Sequence, residues 1–166
     1  MRFFATVRFN VVIAFFVCVA LTSCAHSVSR SAQASTGCTP SAENNRAVVL
    51  AFYKEGLTGL QPRKAFEQYA TTDFVEHKAD VESGTREATI LYLERLIKNV
   101  PDPRWEVIRT VSEGDLVFLH ARFTPAQGAP AYSVGDVFRL QNCLIVEHWD
   151  IVAGPPEQQR NPNSRF

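Results

Sequence analysis

The chain has 166 residues, 46% of them apolar and 20% charged, with 17 basic against 17 acidic side chains. That balance, with no basic patch or run, argues against a nucleic-acid partner, and what remains after the leader suits one compact domain. The sequence contains no nucleotide-binding loop, no activated-serine motif and no closely spaced His or Cys pair, so nucleotide chemistry, serine hydrolysis and a common metal site are unsigned here.

Residues 1–23 read as a leader. Arg2 and Arg8 precede an uncharged apolar stretch from Val11 to Leu21, too short for a spanning helix, which needs roughly 20 residues. It ends at Leu21-Thr22-Ser23-Cys24, which resembles the lipobox of bacterial lipoproteins, where the cysteine is acylated and becomes the new N-terminus. A plain cleaved signal peptide or a short uncleaved anchor is the alternative. The resemblance implies lipid anchoring at Cys24 in the bacterial cell envelope. Ala25, not Asp, follows the cysteine, which implies the outer membrane, facing the periplasm, if the source is Gram-negative.

Residues 24–40 are small, polar and aperiodic, a flexible tether that ends at Pro40. The domain is expected over 41–166. Losing Arg2 and Arg8 leaves a formal charge of 15 − 17 = −2. Cys18 leaves with the leader and Cys24 takes the lipid. Cys38 and Cys143 remain as an even pair in an oxidising compartment, which reads as a disulfide; two unpaired thiols are the alternative.

Ser41 caps a first helix whose apolar face is Val48, Val49, Phe52 and Tyr53, ended by Gly56 and Gly59. Pro62 opens a second, with Ala65, Phe66 and Tyr69 at helical spacing. Phe74-Val75-Glu76-His77 reads as a short strand. A third helix from Thr85 to Lys98 is expected to bury Leu91, Leu93, Leu96 and Ile97, and Pro101-Asp102-Pro103 stops it. From Arg104 the apolar period changes to two. Trp105–Val111 and Leu116–Thr124 form one hairpin, with Ser112-Glu113-Gly114-Asp115 as its turn. Tyr132–Leu140 and Leu144–Val152 form another. Helices first and an antiparallel meander last make an α+β fold, one sheet with helices on one face.

The second hairpin carries the chemistry. A three-residue connection, Gln141-Asn142-Cys143, would pair Leu140 with Leu144 and set Asp136 opposite His148, with Cβ atoms about 5 Å apart. A two-residue turn would pair Asp136 with Trp149 and separate the two side chains. Trp149 is expected in the core against a helix and is assigned no chemistry.

Val48-Val49-Leu50-Ala51-Phe52-Tyr53, Phe74-Val75-Glu76-His77, Glu113-Gly114-Asp115-Leu116-Val117, Asp136-Val137-Phe138-Arg139-Leu140, Ile145-Val146-Glu147-His148-Trp149-Asp150 and the Asn161-Pro162-Asn163 tail occur in the order of a known group. Over residues 44–166 the domain resembles the SnoaL-like, polyketide-cyclase-related family of the nuclear-transport-factor-2-like superfamily. The resemblance implies a cone-shaped fold, three N-terminal helices closing a curved antiparallel sheet over an apolar pocket, and a homodimer through the outer sheet face. It implies no cofactor and no metal. It maps a general acid–base to Asp136, in the Asp-Val-Phe-Arg strand, with His148 as the nearby histidine that stabilises an enolate or carries the proton onward. Asp136 lies between Val134 and Phe138 on one strand face, a partly desolvated setting that suits a general base. Tyr53, His77 and His120 are further candidate pocket residues. His77 is followed by Lys78-Ala79-Asp80 where relatives continue Asn-Pro, a departure at the pocket rim. His120 shares the more polar strand face with Phe118 and Arg122.

The function implied is a cofactor-free aldol-type condensation, cleavage or isomerisation of a small apolar or carbonyl-containing molecule. An acyl-carrier-bound polyketide does not suit an envelope protein, because such substrates are cytosolic. Alternatives are a non-catalytic lipoprotein that binds a small ligand or a partner, and a facial-triad metal site. The latter takes His148 and Asp150, with His77 or His120 as the third ligand. A buried Asp–His pair can also simply tie two strands together.

Overall fold

A computed structural model describes residues 37–166; the leader, Cys24 and most of the tether lie outside the described residues. The elements are α1 (Ala42–Tyr53), α2 (Pro62–Tyr69), β1 (Ala70–Glu76), α3 (Arg86–Asn99), β2 (Arg104–Glu113), β3 (Leu116–Thr124), β4 (Tyr132–Gln141) and β5 (Leu144–Ala153). The five strands form one sheet in the order β1-β5-β4-β3-β2. All neighbours are antiparallel except β1, which runs parallel to β5. This is the expected α+β arrangement of three helices and a curved sheet.

Local chemistry accounts for the helix starts. The Ser41 hydroxyl accepts from the Asn44 N–H at 3.1 Å, Pro62 occupies the first turn of α2, and Thr85 accepts from the Ala88 N–H at 3.4 Å. The end of α1 differs from expectation. Gly56 does not stop it; the chain runs on through a π-helical turn, Lys54–Thr58, and closes at Gly59. Gly56 serves a crossing instead, since a Cβ there would lie 2.9 Å from the Cβ of Ala65 on α2. Gly84 serves another. At φ +58° it lets the lead-in to α3 press on the end of β1, where any Cβ would meet the Glu76 carbonyl oxygen at 2.7 Å.

Phe74, Phe66, Phe52 and Phe138 form an edge-to-face series with centroid spacings of 5.2, 5.0 and 5.7 Å, linking β1, α2, α1 and β4. On β3, Val117, Leu119 and Ala121 point into this core, and on β4 Val134, Phe138 and Leu140 do so with Asp136 among them. Two expectations are corrected. Leu91 is 42% exposed, and α3 buries Thr89 and Ile90 instead, with Leu93, Leu96 and Ile97 half-buried. The helix turns this way because its inner face lines a cavity rather than packing flush on the sheet. Trp149 is not against a helix. Strand alternation puts it on the outer sheet face, half-buried and stacked on the His77 ring at 4.4 Å.

The β4–β5 hairpin also departs from the three-residue connection. Asn142 and Cys143, at φ +51° and +59°, make a two-residue turn that pairs Gln141 with Leu144. A bulge between Leu140↔Ile145 and Arg139↔Glu147 then shifts the register by one, so Asp136 lies opposite Asp150 and Phe138 opposite His148. The turn alone would have put Asp136 and His148 on opposite faces. The bulge returns them to the same one.

Cys38 and Cys143 are joined in a disulfide, Cα–Cα 6.3 Å, that ties the lead-in of α1 to the hairpin tip across 105 residues. Closing a loop of that size restricts the unfolded chain, so Cys38→Ser or Cys143→Ser should lower stability by about 2–5 kcal/mol. Urea denaturation with and without reductant checks this; an unchanged midpoint would mean the bridge contributes nothing.

Candidate functional site

Four side chains from four elements meet beneath the helices. Asp136 of β4 receives the Tyr53 hydroxyl of α1 on Oδ2 at 3.1 Å and His148 Nε2 of β5 on Oδ1 at 3.1 Å. The other ring nitrogen, Nδ1, contacts both oxygens of Glu76 at the end of β1, at 3.0 and 2.9 Å. Glu76 also accepts the Lys78 backbone N–H at 2.9 Å. The side chains of Glu76, Asp136 and His148 are 1%, 7% and 14% exposed.

The electrostatics follow from the packing. Burial pushes the His148 imidazole down, but its hydrogen bonds and charge attraction to Asp136 and Glu76 outweigh this and push it up to about 10. His148 is therefore an imidazolium at neutral pH and donates from both nitrogens. Burial, with the adjacent Asp136 charge and hydrogen bond, raises Tyr53 well above the usual phenol range, so its hydroxyl stays protonated and donates. Each carboxylate oxygen of Asp136 holds one donor and keeps a second lone pair for a ligand.

These residues form one wall of a cavity of about 470 Å³ between α3 and the sheet. Its lining is mostly apolar, including Phe52, Leu93, Leu96, Trp105, Phe123 and Val134. Lys78, Asp80 and Asp150 add charge. Lys78 Nζ donates to Asp150 Oδ2 at 2.8 Å and lies 3.5 Å from Asp80 Oδ2. Burial opposes the ammonium charge, but Asp150 and then Asp80 hold its pKa above the usual lysine value.

The structure brings Asp136, His148 and Tyr53 together and leaves His77 and His120 elsewhere. His77 stacks on Trp149 and approaches Glu147 at 3.8 Å, outside the cavity lining. His120 lies on the outer sheet face, where strand alternation turns it away from Leu119 and Ala121. It contacts Ser133 Oγ at 2.8 Å and faces the Phe166 ring. Burial lowers its pKa, as do Arg109 and Arg165. Among the described residues both other histidines lie outside the cavity, so neither joins His148 and Asp150 as the second histidine of a facial triad. Both nitrogens of His148 are engaged by carboxylates, Nε2 by Asp136 and Nδ1 by Glu76, which leaves no N–H for an enolate oxygen in this arrangement. Sequence reasoning passed over Glu76, although its spacing of two from Phe74 on one strand was the signal that it faces inward.

A model of the SnoaL-like domain matches residues 43–148. Among solved structures the chain is similar to a protein classed as a SnoaL-like polyketide cyclase from Jannaschia sp. CCS1, at 22% identity, covering 69% of this chain and 89% of that one, TM-score 0.58. It is similar to one classed as a ketosteroid isomerase from Kribbella flavida DSM 17836, at 17% identity over 77% and 89% of the two chains, TM-score 0.56. A third, AclR of Streptomyces galilaeus, classed as a hydroxylase, is 20% identical over 68% and 91%, TM-score 0.57. Identities this low carry the fold alone. Among curated proteins none matches the sequence.

The His148 shift has a consequence for stability. Its folded pKa of about 10 exceeds the ordinary histidine value near 6.5, so its contribution is full below about 6.5 and is lost as pH rises through about 10. The unfolding free energy from denaturant titrations should therefore fall across that window, by on the order of a few kcal/mol at most. His148→Gln should flatten this dependence; an equally steep fall in the variant would assign it to other groups.

Proposed function

The chain belongs to the SnoaL-like domain family, and on that premise we propose that its cavity takes a small, largely apolar carbonyl compound and moves a proton at the carbon beside the carbonyl, with Asp136 as the acid–base group. The observation that carries this reading is a buried carboxylate aimed by two donors at an apolar cavity large enough for a small molecule. Asp136 removes the proton, and the C–H electron pair forms the enolate. Returning the proton to another carbon is an isomerisation; attack of the enolate on a second carbonyl, or the reverse, is an aldol-type condensation or cleavage. Tyr53 and His148 act as positioning residues, since both donate to Asp136 and neither has a hydrogen left over.

One observation favours a second reading. Tyr53, Asp136, His148 and Glu76 satisfy one another, an arrangement that equally suits the inert wall of a ligand-binding pocket. The choice rests on proton exchange. In D₂O, deuterium should enter the α-carbon of some member of a panel of small β-dicarbonyls and hydroxyketones, followed by NMR. Asp136→Asn should slow that exchange by roughly 10²-fold or more while the compound still binds. Binding without exchange across the panel would leave the ligand-binding reading.

We further propose that the domain is held to the envelope by acylation of Cys24, a reading supported by Leu21-Thr22-Ser23-Cys24 and the polar tether after it. Metabolic labelling with an alkyne fatty acid should mark the wild type and not Cys24→Ser, and the variant should leave the membrane fraction. Labelling that survives in the variant would end the proposal.

A further inference from the structure

We propose that Lys78 is the group that receives the substrate's carbonyl oxygen, and that the compound selected is uncharged in its resting form. The inference rests on the acid–base reading above and assigns what that reading lacks. Deprotonation beside a carbonyl moves charge onto oxygen, and this needs a donor already in place. The buried network supplies none, because the Tyr53 hydroxyl and the His148 Nε2–H both serve Asp136 while Nδ1–H serves Glu76.

Lys78 is the other cation on the cavity lining. Its position follows from the bulged hairpin. Asp150 is the direct cross-strand partner of Asp136, so their Cβ atoms lie about 5 Å apart on one face. The Lys78 ammonium is 2.8 Å from Asp150 Oδ2, which puts it on the same wall of the cavity as the base. The α-carbon and the oxygen of a carbonyl compound are separated by a single carbon, so a base and an oxygen-binding cation must be close neighbours. An ammonium carries three donors; Asp150 accepts one at 2.8 Å, and Asp80 at 3.5 Å is an ion-pair partner without a hydrogen bond. The same carboxylates keep the group charged, so it acts as a hydrogen-bond donor and not as an amine nucleophile. Tyr92 and Tyr132 also line the cavity, but their hydroxyls are neutral, and a charged donor is roughly twice as strong.

Charge balance defines the ligand. The lining holds four carboxylates, Glu76, Asp80, Asp136 and Asp150, against two cations, Lys78 and His148, a sum of 2 − 4 = −2. A phosphate or carboxylate ligand would add to that surplus. A neutral ketone does not. When Asp136 takes the proton, the C–H pair becomes the enolate double bond and the carbonyl π pair moves to oxygen. The negative charge leaves Asp136 and arrives beside Lys78, and the total in the site is unchanged.

A planar phenolate tests this without turnover. In Asp136→Asn the neutral amide stands for the protonated base. 4-Nitrophenolate, followed by its visible absorption, should bind Asp136→Asn at least about tenfold tighter than Asp136→Asn/Lys78→Met. It should also bind Asp136→Asn at least about tenfold tighter than the wild type, where a carboxyl group stands in place of the neutral amide. Uncharged 4-nitrotoluene should bind all of them alike, which reports an intact cavity. If Lys78→Met unfolds the domain by leaving Asp150 unpaired, the same comparison is made with Asp150→Asn present in both proteins, with and without Lys78→Met. Equal phenolate affinity with and without Lys78, or no phenolate binding in Asp136→Asn, overturns the proposal. Because these affinities need no catalysis, failure of Lys78 as oxygen receptor is distinguishable from failure of Asp136 to promote exchange.

Discussion

The imidazolium of His148 between Asp136 and Glu76 is the interaction on which the rest of this structure depends. Three ionisable groups buried together would be costly unless each charge is matched and each polar atom bonded. Here one cation serves two carboxylates, and the neighbouring Tyr53 hydroxyl and Lys78 backbone N–H occupy further acceptor sites. The network joins the C-terminal end of β1 to β5 and β4, across the one parallel pairing in the sheet, and reaches α1 through Tyr53. Removing His148 would leave two buried carboxylates facing each other without a cation, and removing Tyr53 would take one donor from Asp136. That makes the constellation rigid as well as stable, and rigidity is what an acid–base group needs to meet a carbon–hydrogen bond at a defined angle.

The surrounding fold holds this group at the edge of an apolar space. The Phe74–Phe66–Phe52–Phe138 series packs one side of it, and the Phe138 ring lies 4.6 Å from that of His148. On the other side, α3 and the ends of β2, β3 and β4 stand apart and leave the cavity. An apolar lining strengthens every charge interaction within it and suits a ligand with little polarity of its own. The second ion pair, Lys78–Asp150, sits on the same wall and compensates a second carboxylate placed directly across from Asp136. Two carboxylates facing each other on adjacent strands repel, so both cations have electrostatic work in the resting protein before any ligand arrives.

Much of this was legible residue by residue. The switch from helical to alternating periodicity near Arg104 announced the α+β order, Ser41, Pro62 and Thr85 marked helix starts, and the run from Asp136 to Leu140 stood out as a strand with a carboxylate on its apolar face. Glu76 was legible in principle from its spacing to Phe74. What alternation could not supply was the rotation of α3. Leu91, Leu93, Leu96 and Ile97 look equivalent as apolar residues, yet only those beside the cavity or core are covered.

By itself the sequence determined the kinds and order of the elements, the pairing-competent cysteines and the presence of Asp136 and His148 on one hairpin, because local periodicity and capping act over a few residues. Tertiary structure alone decided which groups meet. A one-residue bulge restored Asp136 and His148 to one face after a two-residue turn had set them apart, and the parallel docking of β1 brought Glu76 to the far side of the imidazole. Both are matters of register, and register depends on packing between distant segments rather than on any local pattern.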